Sequence, residues 1–419
     1  MERLIIKQMS YLNKKLFVVY SFCIFLLMCK SADVSFLWHV SLSLIYFLAG
    51  VLSILMINKT HYGSKQKKLV AVWAVVQSYF ILTEIGGVTF FAILNKFILF
   101  IIVSILIGFS FRLKYRLFEN LSNLFACLLS ISIVGWCLCL LGVKIPVGEL
   151  YISDDNFHIL RNYYFFVRSE RVADQVASII IPRFCSVFQE PGQLAVPCAF
   201  MLFIGNANMR DIRNWIYLIA IILSFSLSGY SLLFVGGLLL YVIPRFKQSL
   251  KAKLLIVVAC IIGFTFISSL QESEDADNPF YSMIVARLTF DEEKGIVGNN
   301  RTSTYFDNRY EEYIKTSNVW TGLNIVDPTL SDWTNNTSGY KKYILFYGLI
   351  GLFLVSWFIY LMLRYNYSYQ SFSYVILIIT AFIPRSLILN PTWLIPIVLG
   401  VFLLGNKTQT FVSDTFRFK

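Results

Sequence analysis

Charged residues are scarce in this chain, because Asp, Glu, Lys and Arg make up only 14% of its 419 residues. An ordinary soluble domain carries about 25% charged residues, so the composition excludes a typical water-soluble globular protein. Acidic residues are fewer than basic residues, and the net charge is +12. The basic excess is spread over short segments between apolar runs and does not form one patch. We therefore predict no nucleic-acid partner.

Histidine is also rare, and cysteines at metal-binding spacing are lacking. The chain has 3 histidines and 8 cysteines, and the most closely spaced cysteines, Cys137 and Cys139, stand two apart within an apolar run. Cysteines in such runs are usually small buried hydrophobic residues. The sequence therefore predicts no metal site, and nothing in these residues calls for a cofactor.

Long apolar runs take the place of charge. A helix needs about 20 apolar residues to cross about 30 Å of hydrocarbon, and runs near this length recur along the chain. We predict an all-α polytopic protein with about 12 transmembrane helices, forming a single integral membrane domain over 1–419. The predicted spans are 16–30, 35–57, 69–84, 90–111, 121–142, 191–206, 214–227, 230–244, 254–270, 341–363, 372–388 and 392–405.

Lysine and arginine cluster in the short segments between spans, as the positive-inside bias predicts for cytoplasmic loops. The clearest basic segments are 1–15, 58–68, 112–117, 245–253 and 407–419. All of them fall on one side of the predicted topology, so both termini are predicted to be cytoplasmic. No internal repeat of the kind found in transporters with two similar halves is evident.

Two long polar stretches, 143–190 and 271–340, interrupt the apolar pattern on the opposite side. The first contains 6 acidic and 5 basic residues, and the second contains 12 acidic and 5 basic residues. Nearly all of the remaining chain is compatible with lipid. We therefore predict that these stretches are large extracytoplasmic loops that together form one site for an anionic substrate.

Three arginines of the first loop, Arg161, Arg168 and Arg171, lie at spacings of seven and three residues. On a helix, this spacing would present all three on a common face. Guanidinium groups bind phosphate oxygens in bidentate pairs and stay charged near a membrane, so these residues are candidate substrate ligands. The alternative is that they meet lipid headgroups or pair with acidic residues such as Glu170.

The segment RFCSVFQEPG, from Arg183 to Gly192, stands at the entry to the sixth predicted span. Pro191 suits the first turn of a helix, and a carboxylate at Glu190 is favourable at a helix N-terminus. Glu190 therefore either caps the span or, beside Arg183, acts as a base or orients an acceptor hydroxyl. The sequence is compatible with both roles.

Aromatic residues in the second loop, Tyr305, Tyr310, Tyr313 and Trp320, predict a helix that packs one face. Aromatic faces also stack on sugar rings, and the spacing alone does not separate packing from stacking.

One charge falls inside a predicted span. Lys96 lies in the outer third of the fourth span, and Glu84 at the end of the third is within reach of it. Charges at such depth mark functional sites or form structural pairs.

Several of these segments resemble a known family. Ser186-Val-Phe-Gln-Glu-Pro-Gly192 is similar to the F-x-E-P segment that precedes a span in bacterial O-antigen and capsule polymerases of the Wzy type. Asn300-Arg301, followed by Gly322, resembles the Arg…Gly-x-Gly element of the family's second large outer loop, with Asn324 in place of the second glycine. Tyr347-Gly-Leu-Ile-Gly-Leu352 resembles the G-x-x-G that opens the next span.

The resemblance implies a membrane glycosyltransferase of the GT-C type. Such enzymes join undecaprenyl-diphosphate-linked oligosaccharide repeats at the outer face of the bacterial inner membrane, and a chain-length regulator is a further partner expected from the family. Glu190 and Arg301 match motif positions and are the expected catalytic residues, while Arg183 would bind the diphosphate. Arg287 fits the family's Arg-x10-Gly spacing to Gly298 and is an expected substrate ligand.

Two other functions remain alternatives. The related O-antigen ligases use a histidine in the second loop, whereas the single histidine in these two loops is His158, in the first. A lipid-linked oligosaccharide flippase would need charges lining a path through the spans, and few are seen beyond Lys96 and Glu84. Both considerations favour the polymerase.

Overall fold

The computed structural model describes residues 2–31, 37, 39–84, 89–143, 149–152, 158–163, 165–171, 183–242, 290–291, 295–296, 304–323, 339–385 and 387–405. These residues are mostly helical, which confirms the predicted architecture in outline, but they also contain five short strands. The predicted all-α class thus holds for most of the described residues, with these short strands as an addition that the sequence pattern did not predict. The strands lie in the two polar stretches, where strand pairing supplies partners for backbone N–H and C=O groups that no helix satisfies.

The helices follow the predicted spans. In chain order they are α1 (Glu2–Ser31), α2 (Leu42–Leu55), α3 (Ser64–Leu82), α4 (Phe90–Gly108), α5 (Phe111–Leu140), α6 (Pro191–Ile204), α7 (Ile212–Leu223), α8 (Leu227–Gly236), α9 (Thr304–Tyr313), α10 (Tyr340–Tyr365), α11 (Tyr369–Phe382) and α12 (Pro391–Gly405). A π-helix, Gly237–Val242, continues α8. Every predicted span except 254–270 overlaps one of these helices, and 254–270 lies outside the described residues.

Three described helices, α4, α5 and α10, are long and apolar enough to cross a membrane. Several others, including α6 and α12, are apolar but only 10–17 residues long, at or below the usual lower limit for a span. Membrane-spanning helices are thus supported in part of the chain, and the number of about 12 stays a prediction.

The chain divides into two compact units. Unit 1 comprises Met1–Leu128, Asn308–Asn335 and Gly339–Lys419, and unit 2 comprises Leu129–Asp307 with Asn336–Ser338. The prediction of one integral membrane domain over 1–419 is not tested by this division.

Each unit is built on a helix that is buried on nearly all sides. In unit 1 every residue of α12 is buried, and α1, α4, α10 and α11 pack around it. In unit 2 every residue of α6 except Gln193 is buried, and α7 and α8 pack on it. A helix that is apolar all round has no face suited to water, so it becomes the core of its unit.

The main chain of α10 is broken at Gly348. This glycine has φ 65° and ψ −177°, a conformation that interrupts the helix. Gly322, in the segment after α9, has φ 85°, and the two glycines bring their backbones so close that a Cβ on Gly348 would lie 2.6 Å from the Gly322 nitrogen. The sequence predicted an uninterrupted span here.

Backbone groups freed by the break find partners in the same segment. The amide of Ile350 donates to the carbonyl of Trp320 at 3.0 Å, and the amide of Leu323 donates to the carbonyl of Leu345 at 2.7 Å. Irregular backbone within an apolar helix is tolerated only where neighbouring protein satisfies it. The segment after α9 therefore completes the hydrogen bonding of α10.

An ion pair lies beside this break. Glu84 is 6% exposed and forms a salt bridge with Lys96, as the sequence indicated. The hydroxyl of Tyr347 donates to the same carboxylate at 3.0 Å. The hydroxyl of Tyr79 contacts the Tyr347 carbonyl at 2.8 Å, so the pair and the break share one polar network.

We expect the contributions of Glu84 and Lys96 to the stability of unit 1 to depend on each other. Glu84→Gln alone, or Lys96→Met alone, leaves a partly buried charge without its partner and should cost about 2 kcal/mol. The double variant removes both charges and should recover at least half of that loss. Thermal unfolding of the full chain in detergent measures all three variants, and a double variant as unstable as the sum of the single variants would contradict the prediction.

Candidate anion-binding site

The first polar stretch contains a three-stranded antiparallel sheet in unit 2. Its strands are β1 (Glu149–Ile152), β2 (His158–Asn162) and β3 (Val167–Arg171), in the order β1-β2-β3. A two-stranded sheet, β4 (Phe290–Asp291) and β5 (Gly295–Ile296), lies in the second stretch. The β2–β3 hairpin carries three of the predicted substrate ligands.

The hairpin corrects the predicted helix for Arg161, Arg168 and Arg171. Arg161 stands directly opposite Arg168, and Arg171 pairs with His158. Successive positions in a strand face opposite sides of a sheet, so positions 168 and 171, three apart, fall on different faces. The structure thus brings Arg161 and Arg168 to one face, with position 171 on the other.

Two arginines directly opposite each other are electrostatically unfavourable. Opposed residues have Cβ atoms about 4.5–5.5 Å apart, and like charges there destabilise the sheet. By register, position 170 falls on the same face as Arg161 and Arg168. An anion with several oxygens suits such a pair of arginines, because each guanidinium group can bind it in a bidentate pair.

The charges of Arg161 and Arg168 also affect the pKa of Tyr163. Burial raises the pKa of its hydroxyl, the nearby Cys139 thiol raises it further, and the positive charges of Arg168 and Arg161 act in the opposite direction. Its ring stacks on Phe166 with centroids 4.5 Å apart. This stacked pair closes the turn between β2 and β3 beside the two arginines.

The hairpin turn is fastened to the second half of α5. The hydroxyl of Ser132 donates to the carbonyl of Phe165. The ring of Phe166 packs against Gly135, where a Cβ would come within 2.8 Å of it. The turn therefore rests on the part of α5 that belongs to unit 2, which fixes the position of the two strands that the turn joins.

The segment Phe184–Phe188 joins the hairpin to the entry of α6. Its residues are buried, and Ser186 has φ 51°, which is uncommon for a residue with a side chain. The amide of Val167 donates to the Ser186 carbonyl at 2.6 Å, and the Ser186 hydroxyl donates to Ser132 at 2.8 Å. Such backbone strain persists where surrounding contacts enforce it and is enriched at functional sites.

Arg183 stands at the start of this segment and is half-buried. Its Nε donates to the carbonyl of Ser224 at 3.3 Å, and an Nη donates to the carbonyl of Phe225 at 2.9 Å. These carbonyls follow the C-terminal end of α7, where a positive charge is favourable. A guanidinium group has five N–H donors, so this anchoring role is compatible with an additional phosphate contact.

Glu190 stands at the other end, as the residue preceding α6. Pro191 is the first residue of the helix, as predicted. The Glu190 backbone is extended, with φ −132° and ψ 143°, but its side chain accepts no capping hydrogen bond from the helix. No side-chain capping bond is therefore formed, but the favourable position of the charge at the helix N-terminus is kept, and the residue is half-buried at the end of the buried segment.

The other predicted site residues are not placed. Arg301 and Arg287 lie outside the described residues, so their roles stay predictions. The predicted aromatic helix ends at Tyr313, and Trp320 follows a 3-10 turn at Ser317–Val319. The helix is thus shorter than predicted, with Tyr310 and Tyr313 buried and Trp320 exposed.

Sequence reasoning missed Ser132, Ser186 and Tyr163 as residues that shape the site. The two serines are 54 positions apart, and no local pattern signals such a contact. The strands did leave a signal: the short β-prone runs ELYI and HIL flank Asp154-Asp155-Asn156, a composition typical of turns between strands.

Comparison of the chain with known proteins yields no relative. No protein-family model, curated protein sequence or solved structure matches it. Its function must therefore be argued from the residues and contacts themselves.

Proposed function

We propose that the chain is a polysaccharide repeat-unit polymerase of the Wzy type. It would transfer an undecaprenyl-diphosphate-linked oligosaccharide onto another lipid-linked repeat, with the GT-C-like fold and about 12 spans expected of that family. Both polar stretches would face the outer side of the bacterial inner membrane, and both termini the cytoplasm. We expect the reaction to need no nucleotide sugar, metal ion or other cofactor.

The observation that supports this proposal most is the juxtaposition of the arginine hairpin with the strained F-x-E-P-like segment. Arg161 and Arg168 are directly opposed on one face, and the hairpin is bonded through Val167 to Ser186, between Arg183 and Glu190. A lipid diphosphate is an anion with several oxygens, so it suits opposed guanidinium groups.

The proposed reaction divides the work between cations and a carboxylate. An acceptor hydroxyl attacks the anomeric carbon of the donor sugar, and the bond from that carbon to the diphosphate oxygen breaks. Arg161, Arg168, Arg183 and the two arginines of the second stretch would stabilise the charge on the leaving diphosphate. Glu190 would accept the proton of the acceptor hydroxyl.

A lipid-linked oligosaccharide flippase is the second candidate. The partly buried Glu84–Lys96 pair and the break in α10 at Gly348 favour it, because transporters place ionisable residues and broken helices at their binding sites. The polymerase is preferred, since the arginines lie in long polar segments between the apolar helices.

Deletion of the chain from its source cells tests the proposal. A polymerase requires that the surface polysaccharide collapse from a ladder of long chains to single repeats, and that the wild-type chain restore the ladder. A normal ladder in the deletion strain would refute it. Repeat units trapped on the inner leaflet would identify a flippase, and finished polymer held on the carrier lipid would identify a ligase.

A further inference from the structure

The segment after α9 has a main chain that is held at many points. We call residues 316–323 the anchored turn. The hydroxyl of Tyr313 and the amide of Gly322 both donate to the carbonyl of Asn318, at 3.0 Å and 2.7 Å. The bonds from Ile350 to Trp320 and from Leu323 to Leu345 attach the same turn to α10.

Five residues of this turn, in contrast, have exposed side chains. Trp320 is 59% exposed, and its neighbours with exposed polar side chains are Thr316, Ser317, Asn318 and Thr321. The backbone contacts hold the turn without help from the indole ring. An exposed tryptophan on a rigid backbone offers a large contact area at a low entropic cost on binding.

The location of the turn suggests what the ring meets. It is attached to α10, a helix long and apolar enough to cross a membrane, at the break where a polar segment joins that helix. The polar side chains around Trp320 would be poor neighbours for acyl chains. They are suitable hydrogen-bond partners for sugar hydroxyls.

We propose that Trp320 binds the apolar face of a sugar ring in a saccharide linked to a carrier lipid, with Asn318 and Thr321 bonding to its hydroxyls. This inference rests on the proposed function, because it places a saccharide at this surface. It adds a sugar-binding position in unit 1 that is distinct from the arginines of unit 2. The interaction is one of binding, and no bond is made or broken at this position.

Binding measured on the full chain in nanodiscs tests the proposal. The probes are the saccharide released by mild acid from the carrier-lipid fraction of the source cells, and the same saccharide still attached to its lipid. Trp320→Ala should weaken binding of both probes about tenfold, the effect of losing about 1.4 kcal/mol of ring contact. Trp320→Phe keeps an aromatic face and should lose less affinity.

Trp357→Ala is the matched control. Trp357 is also an exposed tryptophan of unit 1, but it lies within α10 and packs beside Phe353 at 6.1 Å. Its loss should leave saccharide binding unchanged. Equal weakening in Trp357→Ala and Trp320→Ala would overturn the proposal, as would unchanged binding in Trp320→Ala.

Quenching by brominated lipid separates sugar binding from membrane anchoring. The emission of Trp320 is obtained as the difference between wild type and Trp320→Phe. If saccharide protects this emission from the quencher, the sugar-binding role is supported, whereas strong quenching that saccharide does not alter would overturn it in favour of a lipid anchor. Saccharide binding that depends on Trp320, together with a normal polysaccharide ladder in the deletion strain, would refute the polymerase and retain the sugar-binding position.

Discussion

Glu190→Gln is expected to abolish chain extension while the protein remains folded. The change replaces the carboxylate by an amide of nearly the same shape, so the extended backbone before α6 is kept. No capping hydrogen bond to the helix is lost, and the amide keeps an acceptor oxygen and the shape of the side chain, so the stability loss should be about 1 kcal/mol. Loss of a general base typically lowers a rate by about 10²–10⁴-fold.

Complementation of the deletion strain shows the expected effect as single repeats in place of a ladder. Thermal unfolding of the purified variant provides the stability measurement. Glu311→Gln is a suitable control, because Glu311 is an exposed carboxylate of the second polar stretch, on α9, and should support a normal ladder. A normal ladder in Glu190→Gln would remove Glu190 from the proposed chemistry, and a strongly destabilised variant would point to a structural role.

Gly348→Ala is expected to destabilise unit 1 by at least about 3 kcal/mol. With φ 65° and ψ −177°, Gly348 occupies a backbone region that is essentially restricted to glycine. A Cβ there would also lie 2.3 Å from the Trp320 carbonyl oxygen. This oxygen and the Gly322 nitrogen, 2.6 Å from the same Cβ, are both backbone atoms. A side-chain rotation in the anchored turn or in α10 therefore cannot relieve the clash.

Substitutions at two other glycines distinguish the cost of backbone strain from the cost of a steric clash. Gly142 has φ 81°, and a Cβ added to it would meet nothing within 4 Å, so Gly142→Ala should show only the conformational strain, about 1 kcal/mol. Gly237 also has open space around it, at an ordinary φ of −59°, and Gly237→Ala should be nearly neutral. Thermal unfolding in detergent compares the stability of the three variants. Equal losses of stability for Gly348→Ala and Gly142→Ala would contradict the close approach of the Gly348 and Gly322 backbones.

The helices were the most predictable part of the fold. Lipid requires long apolar runs in which each helix satisfies its own backbone, so composition alone located α4, α5 and α10. Local chemistry located the start of α6 at Pro191, since proline lacks the N–H that the first helical turn leaves unpaired. The Glu84–Lys96 pair was also predictable, because a charge within an apolar helix needs a partner.

The helix predicted from the spacing of Arg161, Arg168 and Arg171 was wrong. Spacings of seven and three suit one helical face, yet the chain forms a hairpin in which Arg161 opposes Arg168. The choice between helix and hairpin depends on the turns that flank the segment, and arginine spacing does not contain that information. The turn-prone residues Asp154, Asp155 and Asn156 are the local feature that favours strands here.

The candidate site could be predicted only in part. The sequence and its family resemblance selected Arg183 and Glu190 of this site in unit 2 and, separately, Gly322 and Gly348 of unit 1. The link between Ser132 and Ser186, and the contact of Gly322 with Gly348, join positions that are far apart in the chain. No local pattern specifies such pairs, because they depend on how several helices pack at once.

By itself, the sequence determined that this protein has apolar helices of membrane-spanning length separated by two polar stretches, since solvent transfer depends on composition and length. Tertiary structure alone decided that α10 breaks where the anchored turn meets it, and that a strained, buried segment connects the arginine hairpin to α6. These features arise from backbone groups that must find partners across the fold, and the partners are set by packing.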